Sequence, residues 1–162
     1  MSGDVVVLLD ALDAHREHAL GIVESLSEEQ LRAPCVPSQW CPLGMILHLA
    51  ASEHYWFHCM FAGLPADFYG HRTHALNLWD VSERDSVQDI FSLYRLQIEV
   101  SNELARSSSL DSPLEARDPA WGNWDAPNLH FVILQVIGHT ATHAGHLDVA
   151  REFLDGRQWM VL

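Results

Sequence analysis

The chain contains no lysine, and the nine basic residues that it has besides histidine are all arginines. Against them stand 22 acidic residues, which gives a formal net charge of -13 at pH 7. Proteins that bind nucleic acid or an anionic membrane surface need clustered positive charge to meet the phosphates. The composition therefore disfavours nucleic acid and membranes as partners.

Cysteine is also scarce, and long apolar runs are missing. The three cysteines, Cys35, Cys41 and Cys59, are an odd number and show no repeated CxxC spacing, which favours reduced thiols over disulfides or a cysteine-rich zinc site. No stretch approaches the roughly 18 consecutive apolar residues of a membrane span. The first residues lack the basic region and unbroken apolar run of a signal peptide. We therefore expect a cytoplasmic protein.

What the sequence does contain is helical periodicity over most of its length. At 162 residues the chain is expected to form one domain, residues 1–162. Apolar residues recur at helical spacing in four segments: residues 4–26, the stretch from Pro42 to Gly63, Ser86 to Ala105, and Asn128 to Leu154. Residues 63–84 are predicted to be an irregular connection, and residues 107–127 a long loop that carries two tryptophans, Trp121 and Trp124.

These segments predict an all-α fold, because no stretch alternates in the manner of a strand. Four long helices joined by loops are typical of an up-and-down four-helix bundle. In the first helix the acidic residues and Arg16 are expected to lie opposite the apolar face. Glu53 is expected to form a structural ion pair with Arg151 or Arg95.

Histidine is the residue in excess, with 11 copies. Placed at random, these would give roughly 0.7 HxxxH pairs, whereas two occur, His54/His58 and His139/His143. The second pair lies on the stripe of the last helix that a bundle would bury. Two imidazoles at this spacing can bind one metal ion together. The second pair is therefore the better candidate for a metal site.

A third ligand has to come from another helix, and His48 is the best candidate because it lies in the middle of the second helix. A site with three histidines leaves a coordination position open, as catalytic metal sites do. The alternative is that His48, His139 and His143 are separate buried histidines bonded to backbone or hydroxyl groups, and their spacing does not decide between the two.

Two further residues are candidates for the surroundings of such a site. His146 follows His143 by three residues and is a candidate for a neighbour that bonds to a ligand rather than to the ion. Tyr55 lies seven residues after His48, and therefore on the same helix face, so it is a candidate for lining a pocket. A catalytic role for Cys41 or Cys59 is less expected, because free cysteine is commonly a small buried residue.

Two segments of the chain resemble the signature blocks of the DinB/YfiT-like superfamily, especially its DUF664 branch. The first block, HLxxxExxW, is matched in the second helix by His48, Leu49, Glu53 and Trp56. The second block lies in the last helix, where the matching residues are Thr140, Ala141, His143, Gly145, His146, Asp148, Arg151, Glu152, Asp155 and Gly156. One departure is that this branch usually carries glutamate where the chain has His139, and arginine where it has Thr142.

The resemblance implies a four-helix bundle that binds a divalent metal ion through His48, His139 and His143. With three neutral imidazoles in place of a glutamate, zinc or nickel is the expected ion. Characterised members include transferases that use mycothiol, bacillithiol or glutathione. The resemblance thus implies a detoxification or stress-response enzyme that joins a small-molecule thiol to an electrophile, with the ion holding the thiol as its thiolate. It is also compatible with a homodimer.

Two alternatives remain open from the sequence. One is a metal-dependent hydrolase, in which the ion activates water instead of a thiol. The other is a binding or assembly protein without catalysis. The sequence also leaves open whether Trp121 and Trp124 line a pocket or an interface.

Overall fold

The computed structural model describes residues 3–68 and 79–158, which are mostly helical and include no strand of a sheet. The long helices are α1 (Gly3–Val23), α3 (Pro42–Glu53), α4 (Val87–Arg106) and α5 (Leu129–Asp155), and a short helix, α2 (Glu28–Arg32), follows α1. A π-helical segment, His54–Phe61, continues α3. The all-α bundle of four long helices predicted from the sequence is confirmed. Within the described ranges, no helix is both long and apolar enough to cross a membrane.

The helix ends follow from local chemistry. Pro42 occupies the first turn of α3, where its missing N–H costs nothing, and the Cys41 sulfur accepts the N–H of Gly44. The side chains of Ser86 and Asn128 accept the N–H groups of Asp89 and Phe131 and so cap α4 and α5. Gly156 ends α5 in the left-handed conformation, with φ of 73°, that glycine adopts without strain.

The core is divided into two clusters, one at each end of the bundle. At one end the last turns of α1 and α5 pack with the first turns of α3 and α4. At the other end the first turns of α1 and α5 pack with the π-helical segment and the last turn of α4. The helices α1 and α5 therefore run in one direction, and α3 and α4 run in the other. The order is up, down, down, up, with α4 parallel to α3, so the up-and-down order predicted from the sequence is wrong for this pair. The connection of residues 62–86 is long enough to bring the chain back to the first end before α4 begins.

The loop of residues 107–127 is packed against the second end of the bundle. The N–H groups of Glu115 and Ala116 donate to the carbonyl oxygens of Phe61 and Met60, at 3.1 and 3.0 Å. The end of a helix leaves carbonyl groups without hydrogen-bond partners, and here the loop supplies the missing N–H donors. In the described part of the connection 63–84, the side chain of Phe68 is buried in the core cluster at the first end.

Two expectations about charged residues are wrong. Arg16 is not on the polar face of α1 but is buried with 1% of its surface exposed. Glu53 pairs with Arg16 and not with Arg151 or Arg95. Arg151 instead donates to backbone carbonyls at the end of α1, including that of Glu24, and pairs with Asp155. Hydrophobic periodicity cannot reveal a buried charge whose partner comes from another helix.

Candidate metal centre

Three histidines from two facing helices converge at the first end of the bundle. His48 extends from the middle of α3, and His139 and His143 lie one turn apart on α5. The His48 Nε2 atom is 3.1 Å from His139 Nε2, which is 3.2 Å from His143 Nε2. One potential ligand atom from each side chain lies within 4.8 Å of the other two. This cluster could hold a metal ion.

Two of the three separations between these nitrogens fit an ion. Two imidazole nitrogens bound to one tetrahedral zinc ion, each at about 2.0 Å, lie about 3.3 Å apart. The separations of 3.1 and 3.2 Å are close to that spacing. At such distances two unprotonated nitrogens repel each other, so either one of them carries a proton or a cation lies between them.

The three imidazoles are neutral at neutral pH. Burial, reinforced by the neighbouring imidazoles of His139 and His143, lowers the pKa of His48 to about 3. Burial also lowers the pKa of His139 to about 4. The pKa of His143 falls to about 4 because of burial first and then the nearby His139 and His146. Since a metal ligand must be unprotonated, these side chains are ready to bind an ion without releasing a proton to water.

Two clefts adjoin the histidines. One has a volume of about 450 Å³ and is lined by Ser38, Gln39, Trp40, Met45, Trp79, Asp80, His143 and His146. The other, of about 390 Å³, lies on the outer side of α5 and is lined by Leu134, Gln135, Gly138, His139, Thr142 and His143. The imidazole of His143 borders both clefts. The cluster is therefore open to small molecules rather than enclosed.

Trp79 is the residue that sequence reasoning missed. Its indole stacks on the His48 ring, with 3.7 Å between the ring centroids and 13° between the planes. It also meets the His143 ring edge-on at 5.4 Å. In the sequence, the only sign of its role is that it is a large aromatic residue near the end of residues 63–84, a segment predicted to be irregular.

His146, a candidate from the sequence for a neighbour of the site, lies next to the ring of His143. Its Nδ1 atom is 3.3 Å from His143 Nδ1, on the side of that ring opposite to Nε2. His146 is exposed to solvent. His143 therefore contacts His146 through Nδ1 and His139 through Nε2.

Tyr55 lies away from the histidines. It is buried among the aromatic residues of the second end, where its hydroxyl donates to Asp118 and accepts the indole N–H of Trp121, both at 2.8 Å. Neither of the two clefts beside the histidines is lined by Tyr55 or by the loop tryptophans in the described ranges. Trp121 stacks on Trp56, and Trp124 packs on Trp121 while 44% of it stays exposed. Both loop tryptophans thus help to close the second end.

The other HxxxH pair does not join the cluster. The rings of His54 and His58 stack at 4.3 Å, and His54 Nδ1 lies 3.3 Å from Gln97 Oε1. Among the residues that the structure describes, His48, His139 and His143 are the only group of three or more candidate ligands. His71 and His74 lie outside the described residues.

The cysteines are poor nucleophiles. Burial raises the pKa of Cys59 to about 11 and also raises the pKa values of Cys35 and Cys41. Because the thiolate is the reactive form, these side chains stay protonated and unreactive at neutral pH.

The fold and the cluster define a class: helical-bundle proteins that build a metal or ligand site from side chains on facing helices. A family model for mycothiol S-transferases matches residues 7–156 of the chain. The chain therefore belongs to the mycothiol S-transferase family, which is a DinB-like family, and the predicted DinB/YfiT-like relationship is confirmed. Searches of curated proteins and of solved structures return no match.

Proposed function

We propose that this protein is a metal-dependent transferase that joins a low-molecular-weight thiol to an electrophile. The observation that carries the proposal is the convergence of three neutral imidazoles from α3 and α5 beside an open cleft. Membership of the mycothiol S-transferase family supports it. The proposal includes a single domain over residues 1–162 in the cytoplasm, and a homodimer is compatible with it.

The proposed ligands are His48, His139 and His143, and the proposed ion is zinc or nickel. Imidazole suits these ions better than magnesium or calcium, which prefer oxygen ligands. A divalent ion bound by three neutral ligands supplies a Lewis acid that lowers the pKa of a coordinated thiol or water. His146 is proposed to hold the His143 ring in place through their 3.3 Å contact.

The chain's own part in the reaction is to bind and orient the two substrates. The 450 Å³ cleft has two tryptophans, Trp40 and Trp79, and the polar side chains of Ser38 and Gln39. Flat aromatic faces and short polar groups suit a polyhydroxylated ligand. Because desolvation raises the pKa of all three of the protein's own thiols and keeps them protonated, the sulfur that attacks the electrophile comes from the cosubstrate.

The charge of the cleft favours mycothiol over the other thiols. No arginine is among the described residues that line it, and the whole chain has a net charge of -13. Glutathione and bacillithiol carry carboxylates, which such a surface repels. Mycothiol is an amide-linked sugar thiol without a carboxylate, so it meets no such penalty.

The test is a transfer assay with metal-loaded protein, mycothiol, glutathione or bacillithiol, and chlorodinitrobenzene as the electrophile. We expect turnover with mycothiol, less with the two anionic thiols, and none after His143→Ala. His58→Ala, in the other histidine pair, is the matched control and keeps its activity. No turnover with any thiol would overturn the proposal. Ester hydrolysis without a thiol would favour the hydrolase instead, and protein that holds no metal and turns over nothing would favour a binding or assembly role.

A further inference from the structure

The ring of His48 lacks the support that usually fixes a metal ligand. A histidine that binds a metal through one nitrogen normally donates its other N–H to a carboxylate, a carbonyl or water. His48 Nδ1 is buried and has no hydrogen-bond partner among the described residues. Among residues 3–68 and 79–158, no hydrogen bond to Nδ1 therefore fixes the plane of the His48 ring.

A stacked indole occupies the position where support is needed. The ring of Trp79 lies nearly parallel to that of His48, with centroids 3.7 Å apart, and so limits rotation of the imidazole about its Cβ–Cγ bond. The same indole contacts His143 edge-on at 5.4 Å. Trp79 thus touches one proposed ligand from α3 and one from α5.

The backbone around Trp79 is held by two contacts from other elements. A Cβ atom at Gly44 would overlap the carbonyl oxygen of Trp79, so the glycine allows α3 to approach this segment closely. On the far side, Arg32 of α2 donates to the carbonyl oxygens of Ser82 and Asp85, at 3.0 and 2.7 Å. Trp79 is therefore held on a fixed segment.

We infer that Trp79 is a positioning residue, which stacks on His48 to direct its Nε2 atom at the metal site, and that Gly44 makes this placement possible. The inference rests on the proposed metal site and adds to it a residue that orients a ligand by ring stacking. The indole takes over the orienting task that a hydrogen bond to Nδ1 performs at other sites.

The test measures metal affinity, not activity alone. Full-length wild-type protein, Trp79→Ala, Trp79→Phe and Trp124→Ala are titrated with zinc in competition with a chromogenic chelator. Loss of a residue that orients a ligand costs about 10- to 100-fold in metal affinity, and we expect a rise of this size in the zinc Kd of Trp79→Ala. Trp79→Phe, which keeps a flat ring, is expected to recover most of the affinity, and Trp124→Ala, which changes an exposed loop tryptophan, to match wild type.

Two further measurements separate positioning from folding. Gly44→Ala changes no aromatic residue and improves intrinsic helix propensity, yet it displaces the Trp79 backbone, so its zinc Kd should rise as in Trp79→Ala. The visible spectrum of the cobalt-loaded proteins reports the number and arrangement of the ligands. It should change in Trp79→Ala and Gly44→Ala only. Circular dichroism checks that each variant is folded.

The outcomes distinguish this inference from the proposed function. Wild-type protein that binds zinc, together with a Trp79→Ala variant of equal affinity and unchanged cobalt spectrum, overturns the inference and leaves the metal site standing. Equal losses in Trp79→Ala and Trp79→Phe also overturn it, because stacking would then not be the cause. Wild-type protein that binds neither zinc nor nickel overturns both.

Discussion

Arg16 and Glu53 form a two-point ion pair in the interior of the bundle, with each residue only 1% exposed. The guanidinium Nε and Nη2 atoms donate to the two carboxylate oxygens, both at 2.6 Å. The remaining guanidinium nitrogen donates to Asp13 and Asn102. Burial disfavours the charged guanidinium, but the charge and hydrogen bonds of Glu53 outweigh it and raise the pKa of Arg16. The network joins α1, α3 and α4.

The first prediction concerns this pair. Removing one partner of a buried ion pair leaves the other charge without compensation, which costs about 3–5 kcal/mol. We expect Glu53→Gln to lower the free energy of unfolding by an amount in this range, measured by urea denaturation. Arg84→Ala, at an exposed arginine, is the control and should have little effect. A loss below about 1 kcal/mol, the size of an exposed pair, would contradict the buried network.

The second prediction concerns the ion. Two ligands hold a metal weakly, so loss of any one of three should release it. We expect about one zinc or nickel ion per chain in the wild-type protein and little in His48→Ala, His139→Ala or His143→Ala. His58→Ala, which changes the other histidine pair, should keep its ion. Elemental analysis of the purified proteins measures this, and loss of the ion only from the His58 variant would refute the assignment.

The third prediction concerns acid stability of the metal-free protein. His48, with a pKa of about 3, and His139 and His143, with pKa values of about 4, stay neutral in the folded state. In the unfolded chain a histidine takes up a proton below about pH 6.5. Between about pH 6.5 and pH 4 the unfolded state therefore binds more protons, and the free energy of unfolding falls as the pH falls.

Urea denaturation of chelator-treated protein at several pH values measures this slope. His143→Gln removes one of the three groups and keeps a similar size, so its stability should fall less steeply than that of wild type over the same range. Parallel curves for the two proteins would mean that the His143 imidazole takes up its proton equally well in both states.

The fourth prediction separates Tyr55 from the chemistry. Tyr55→Phe leaves Asp118 and Trp121 without the hydroxyl that they share, which costs about 1–2 kcal/mol of stability. Since Tyr55 lines neither cleft beside the histidines, kcat and KM for thiol transfer should not change. A fall in activity of the folded, metal-loaded variant would instead support the pocket role expected from the sequence.

The helices and the grouping of histidines could be predicted from the sequence because both depend on local spacing. A spacing of four residues puts His139 and His143 on one face of α5, and the middle of α3 is the natural place for a partner such as His48. Tyr55 shows the limit of this reasoning. Seven residues return it to the face of His48 but also carry it about 10 Å along the helix axis, into the other core cluster.

The remaining features depend on contacts between distant parts of the chain. Arg16 looks like a surface residue of an amphipathic helix until Glu53 of α3 and Asn102 of α4 are known to face it. Trp79 lies in a segment without periodicity, so its contact with His48 has no local signature. Such placements are determined by how the helices assemble, and a single sequence does not contain that information in its spacing.

The π-helical segment from His54 to Phe61 affects which side chains share a helix face. Its backbone bonds span five residues, as in the N–H of Ala62 donating to Phe57, so the segment behaves as an α-helix with one residue inserted. Deleting one residue within the segment would let its turns return to bonds that span four residues, so the residues beyond the deletion would keep roughly the face that they have now. The proposed metal ligand on α3, His48, precedes the segment and would keep its position. The segment thus absorbs one extra residue between the histidine of α3 and the aromatic residues of the second end.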